Sequence, residues 1–240
     1  MRIPLTKYGL PQVAIFPAIL VAVMILYYLF ARRFLALACG CATGVFLTVW
    51  LPQLILLAVL VWVFSFFRDP HRVVPSDPSL LLSPADGTVM AVETLESCPG
   101  FEGQVLRIEI FLSIFNVHIN RVPCAVRIGE ITYKPGKFLD ARKPECSKVN
   151  EANEVEMFRL HEPKDRLLVR QISGAIARRI VCEAKPQQEY AAGAQFGMIK
   201  FGSCTEVYVP ADASLKCTVN IGDNVKAGLT VLARYDHAAD

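Results

Sequence analysis

Two long apolar runs open the chain, and after them polar and apolar positions begin to alternate. From Leu10 to Phe30 the sequence LPQVAIFPAILVAVMILYYLF carries no charge. As a helix it would reach about 31 Å at 1.5 Å per residue, close to the hydrocarbon thickness of a bilayer. Arg32 and Arg33 follow, and then a second uncharged stretch from Phe34 to Phe67. That stretch is too long for one straight span. Pro52 and the glycines at 40 and 44 divide it, leaving LPQLILLAVLVWVFSFF (Leu51–Phe67) as the second predicted helix, with an aromatic end suited to a membrane–water interface. Neither stretch has a polar face, as a surface helix of a soluble domain would. The first is too long for a signal peptide and lacks a small-residue cleavage site. The pattern predicts a two-helix membrane anchor over residues 1–67. Arg2 and Lys7 before it and Arg68 and Arg72 after it outnumber Arg32 and Arg33 in its turn, which places both ends on the cytoplasmic face of the cell (inner) membrane.

FRDPHRVVPSDPSLLLSPADG (Phe67–Gly87), dense in proline and charge, reads as an exit linker. Beyond Leu80 come short β-patterned segments rich in Val, Ile, Thr and Tyr: GTVMAVETL, VLRIEIFLS, AVRIGEITYKPG, RLLVRQISG, RRIVCEAK, MIKFGSCTEVYVP, LKCTVNIGD and LTVLARYD. One helix is predicted near Ala191–Gly197. The expected fold is mainly β (α+β), an antiparallel barrel or sandwich over residues 68–240. SPADGTVMAV and VNIGDNVKAGLTVLA are similar in style to the two halves of a biotinyl/lipoyl-type hammerhead barrel. No hairpin-tip lysine of a carrier domain accompanies them, so that likeness is architectural.

Composition changes this picture little. The 53% hydrophobic content is concentrated in the anchor. A net charge of +3, from 25 basic and 22 acidic side chains, implies no nucleic-acid surface and suits an anionic leaflet. The eight cysteines form no CxxC pair and no zinc-ligand spacing, so no metal site is predicted, and scattered thiols suit a reducing compartment.

Candidate chemistry is sparse. Of the four histidines, His71 lies in the charged linker, His161 in a polar turn and His237 near the C-terminus, whereas His118 follows an apolar strand in FLSIFNVHINRVPC. Asp86 stands in SPADG, where Asp-Gly is ordinary turn chemistry. Gly202-Ser203 interrupts the strand-like MIKFGSCTEVYVP, and a glycine there marks a bulge or a close backbone approach. No nucleophile elbow, P-loop, dinucleotide fingerprint or H-E-x-x-H is present. The residues alone define a membrane-anchored β domain with an unexplained Gly-Ser, which a non-enzymatic tethered adaptor would also satisfy.

Four segments in order behind the anchor, FFRDPHRVVPSDPSLLLSPADGTV, FLSIFNVHINRVP, GEITYKPGKFLDA and MIKFGSCTEVYVP, resemble the short bacterial or archaeal type of phosphatidylserine decarboxylase proenzyme, over essentially the whole chain. The resemblance implies that Ser203 attacks the Gly202 carbonyl and cleaves its own chain into a large (1–202) and a small (203–240) piece that stay together. Ser203 then becomes a covalent pyruvoyl group, which takes the amine of phosphatidylserine as a Schiff base and permits loss of CO2. His118 is implied as the general acid and Asp86 as the family aspartate, with homo-oligomerisation left open. Longer relatives carry a second histidine three residues after the first; here that position is Arg121, so the group that activates Ser203 is not given by resemblance. Cys204 also departs from the usual Arg or Thr and receives no role.

Overall fold

The computed structural model describes residues 5–37, 42–143, 145–175, 179–200 and 202–236. Arg2, Gly40 and His237, named above, lie outside the described residues. The chain forms two compact units, Met1–Pro70 and His71–Asp240.

In the first unit α1 runs Leu10–Leu37, seven residues past Phe30 and through both arginines, with Pro17 inside it. The second run starts earlier than predicted. A helical segment at Ala42–Val45 passes into a π-helical turn, Phe46–Trp50, and continues as α2, Leu51–Phe66. Pro52 therefore falls just after a wide turn instead of beginning the helix. Having no N–H, it cannot satisfy the carbonyl one turn back, and the Tyr27 hydroxyl from α1 donates to the Thr48 carbonyl. Gln53 Nε2 donates to the Met24 carbonyl at 2.7 Å, a second polar tie between the helices. By length and composition, Lys7–Arg33 and Thr43–Phe66 are long and apolar enough to cross a membrane.

The second unit is a β sandwich. Its large sheet consists of β2 (Gly87–Leu95), β3 (Val105–Leu112), β5 (Val126–Lys134), β6 (Ala152–Arg159), β7 (Arg166–Ser173), β9 (Glu189–Tyr190), β11 (Ser203–Pro210) and β13 (Asn224–Val225). Their order is β13-β2-β3-β11-β7-β6-β5-β9, and every pairing is antiparallel. Two small sheets complete the unit. One holds β1 (Leu80–Leu82), β14 (Val231–Tyr235) and β12 (Leu215–Cys217); the other holds β4 (Ile119–Arg121), β10 (Gln195–Ile199) and β8 (Ile180–Cys182). The core joins inward residues of the large sheet, such as Ile108, Ile110, Val169 and Val207, with Leu81, Phe196 and Leu232 from the small ones. Alternation along β3 produces this arrangement. Leu106, Ile108, Ile110 and Leu112 face the core, while Arg107, Glu109 and Phe111 face away.

The mainly β (α+β) expectation holds, with corrections in detail. Ala191–Gly197 is not a helix. Gly193 takes φ +70° in a turn closed by Ala194 N–H on the Ala191 carbonyl, and β10 begins two residues later. Strand β6 was not among the predicted segments, nor was the short helix α3, Cys146–Val149. MIKFGSCTEVYVP is not one strand. Its first part belongs to β10 in a small sheet and its second to β11 in the large one, and Gly202-Ser203 lies where the chain passes between them.

Candidate active site

That crossing fixes the geometry of the junction. Gly202 has φ +64°, a left-handed conformation that favours glycine. Ser203 opens β11 at the centre of the large sheet, paired with Leu112 of β3 on one side and Ser173 of β7 on the other. Its side chain shares the inner face with Thr205 and Val207. The residue is fully buried, and its Oγ has no hydrogen-bond partner among the described residues. A buried hydroxyl left unsatisfied costs about 1–3 kcal/mol, so its retention asks for a chemical reason.

Around it the groups are tightly placed. His118, fully buried just ahead of β4, directs Nδ1 at the Asn116 carbonyl (3.0 Å), and its Nε2 accepts the Gly202 N–H at 3.4 Å. With Nε2 accepting the Gly202 N–H, Nδ1 is the nitrogen that donates to the Asn116 carbonyl. The Gly202 carbonyl rests against Gly174, where a Cβ would come within 2.2 Å of the oxygen. Beneath Ser203 a chain of buried amides runs across the inner face. Asn153 donates to Gln171 (3.1 Å), Gln171 to Asn120 (2.9 Å) and Asn120 to the Thr205 hydroxyl (3.2 Å), tying β11 to the strand that follows His118.

Asp86 is held elsewhere than at Ser203. Arg72 grips both of its oxygens, at 2.6 and 2.8 Å, and the Ala227 N–H donates to it at 2.8 Å. The segment taken as a linker thus folds back to supply Arg72. Arg121 is buried and donates to the Gly193 carbonyl at 2.9 Å. Both His71 and His161 are exposed. Cys204 points to the opposite face of β11, where burial first, then Glu109 and Glu206, push its thiol well above the usual range; it stays protonated and unreactive. Burial and then Arg179 lower the Lys200 ammonium pKa on the strand side of the junction.

A cavity of about 360 Å³ reaches the junction from the outer face, lined by Phe111, Ile114, Phe115, Ala141, Arg142 and Gly202. At its rim Arg142 binds Asp140 side chain to side chain and through its own N–H, drawing that carboxyl down to about 2. Of the residues named from the sequence, Gly202, Ser203 and His118 come together at the junction and Asp86 does not. Sequence reasoning missed Gly174, Arg72, the amide chain and the cavity, whose members are scattered along the chain and converge only through strand pairing.

Taken together, the junction sets a buried hydroxyl, unpartnered among the described residues, next to a left-handed glycine whose N–H is held by an imidazole nitrogen. The family profile of phosphatidylserine decarboxylase matches residues 59–233. A protein of Desulfotalea psychrophila named phosphatidylserine decarboxylase proenzyme is 40% identical over 180 residues, covering 75% of this chain and 82% of that one. One of the same name from Carboxydothermus hydrogenoformans is 42% identical over 191 residues, covering 80% and 87%. The chain belongs to the phosphatidylserine decarboxylase family.

Proposed function

We propose that this chain is a precursor that cleaves itself between Gly202 and Ser203 and then decarboxylates phosphatidylserine to phosphatidylethanolamine and CO2. The observation that carries the reading is the buried Ser203 Oγ without a partner, next to a carbonyl held by the left-handed Gly202. In the first stage Oγ adds to the Gly202 carbonyl carbon, and the carbon–nitrogen bond opens to leave an ester. His118 Nε2, which accepts the Gly202 N–H, is the base assigned to this step: once it releases that N–H it takes the hydroxyl proton and returns it to the departing Ser203 nitrogen. Removal of the Ser203 Cα proton then breaks the Cβ–O bond, freeing Gly202 as a carboxylate. The dehydroalanine left at 203 takes up water and loses ammonia, which makes residue 203 a pyruvoyl group. The orphaned hydroxyl and the Gly174 recess beside the carbonyl fit this conversion.

Once formed, that group supplies an electron sink for loss of CO2 from an amino acid headgroup. The chain's own residues do the rest. The cavity at Gly202 admits the headgroup, the apolar Phe111 and Ile114 limit water, and His118 holds a proton at Nε2 for the carbon that loses carboxylate. Asp86, clamped by Arg72, positions the turn entering β2. The two apolar helices anchor the chain in the membrane, with the β unit on the cytoplasmic face, so a two-tailed lipid reaches the site without leaving the bilayer.

Intact mass of the purified chain tests this directly. The wild type should yield two pieces, the smaller lighter by one ammonia than a serine-ended Ser203–Asp240 peptide, and Ser203→Ala should remain whole. An uncut wild type would overturn the reading. His118→Ala should lose CO2 release from phosphatidylserine; full activity would remove His118 from the mechanism.

A further inference from the structure

The Ser113–Asn116 turn leaves Phe115 69% exposed. This is no loose loop. The Asn116 side chain accepts the Ser113 N–H at 2.9 Å, the Asn116 N–H donates to the Ser113 carbonyl at 2.9 Å, and the Phe115 N–H reaches the Ser113 hydroxyl at 3.3 Å. The turn is also wired to the reacting atoms. The Asn116 carbonyl fixes His118, and among the described residues Ile114 is the side chain nearest to where a Cβ on Gly202 would stand, at 3.9 Å. Phe115 itself lines the cavity at Gly202. Residues 140–142 line the same cavity, and the segment 137–148 to which they belong carries Phe138, 39% exposed, and four cations (Lys137, Arg142, Lys143, Lys148) against two carboxylates (Asp140, Glu145). Exposed aromatic surface beside a basic segment is the composition that favours an anionic lipid–water interface.

We infer that the Ser113–Asn116 turn, with the cationic 137–148 segment, is the surface by which the β unit touches an anionic lipid leaflet, Phe115 entering the interface at the mouth of the Gly202 cavity. The inference rests on the decarboxylase reading for the substrate's identity, though not for the contact itself. A lipid headgroup cannot travel far from its acyl chains, so the mouth of the cavity that receives it must meet the leaflet. A rigid turn that carries an aromatic side chain does so without losing conformational freedom on contact.

The test uses the full chain with Ser203→Ala, so that nothing turns over, and with Trp50→Phe and Trp62→Phe. A single reporter is introduced as Phe115→Trp or, on a comparably exposed position, Ile221→Trp (67%). In vesicles of phosphatidylcholine and phosphatidylglycerol, emission from position 115 should be blue-shifted and quenched by lipids brominated near the headgroup end of the acyl chain, and position 221 should be unaffected. No quenching at 115, or equal quenching at both positions, overturns the inference. In the otherwise native chain, Phe115→Ser should raise the KM for vesicle-borne phosphatidylserine about tenfold relative to that for a monomeric short-chain analogue, as withdrawing one aromatic group from an apolar phase implies. Phe115→Trp should restore it. An unchanged ratio overturns the inference while leaving the decarboxylase reading intact. A wild type that neither cleaves nor releases CO2 sinks that reading, and the quenching result is then judged by itself.

Discussion

At the scale of single residues, the place of the Gly202 carbonyl depends on a side chain that is missing. Gly174 follows β7 directly, and a methyl there would meet the Gly202 oxygen at 2.2 Å and the Gly202 carbon at 3.1 Å. The clash is with backbone, so the junction itself has to move. Gly174→Ala should therefore slow self-cleavage about 100-fold, the loss expected when reacting atoms are displaced by roughly 1 Å. A time course of precursor disappearance, alongside a melting curve showing that the variant folds, measures this. Cleavage at the wild-type rate would mean that Gly202 does not need its place against Gly174. Nothing local in RQISGAIARR marks Gly174 as special, because its role exists only once β7 and β11 lie side by side. Ser203 and His118 were named for a different reason, since each stands in a contiguous stretch that carries the family resemblance, although their contacts in space come from distant parts of the chain. Asp86 was legible as a residue but not as a contact. Its partner Arg72 lies in a stretch whose proline and charge read as linker.

Elements were legible where one face met the core and the other did not. GTVMAVETL was read residue for residue as β2, and the segments of β3, β5 and β7 were placed within a residue or two. Strand β6 was hidden by its three glutamate and asparagine side chains, Asn153, Glu154 and Glu156, which suppress an apolar signal while Val155 and Met157 fill the core. At Ala191–Gly197, where a helix was expected, tertiary pairing decides otherwise. Gly197 packs against the Val181 carbonyl so closely that a Cβ would sit at 2.2 Å, and β10 forms there between β4 and β8. In the anchor, proline was read as a boundary, whereas the π-helical turn and a hydroxyl from the other helix accommodate it. Tyr27→Phe should then leave the Thr48 carbonyl without that donor in an apolar surrounding. Detergent unfolding of the full chain should report a loss of about 1 kcal/mol, the usual size of such a bond between membrane helices. An unchanged unfolding midpoint would show that the carbonyl is satisfied in another way.

For the molecule as a whole, the proposed cut raises the question of what keeps the small chain in place. Strand β11 is internal to the large sheet, with eight residue pairs to β3 and six to β7, so the small chain begins as a central strand and not an edge. Its inward Val207 and Val209, together with Leu232 and Tyr235 of β14, are fully or almost fully buried, each contributing about 1.5–3 kcal/mol. The other face adds a charged lock. Glu206, fully buried, is bound by Arg107 of β3 and Arg170 of β7, with the Tyr208 hydroxyl donating to it at 2.8 Å. Burial works against the Arg107 charge, but Glu206 outweighs it and holds the guanidinium firmly protonated. Both arginines belong to the large chain and the glutamate to the small one, so the lock spans the two products. The cleaved protein should therefore elute as one species in mild detergent and separate only on denaturation. Glu206→Ala, which strips the buried anion from two cations, should lower the free energy of holding the small chain by about 3 kcal/mol. The readout is the denaturant concentration at which the small chain appears free. Release from the wild type without denaturant, or an unchanged midpoint in Glu206→Ala, would place the retaining forces elsewhere in the sandwich.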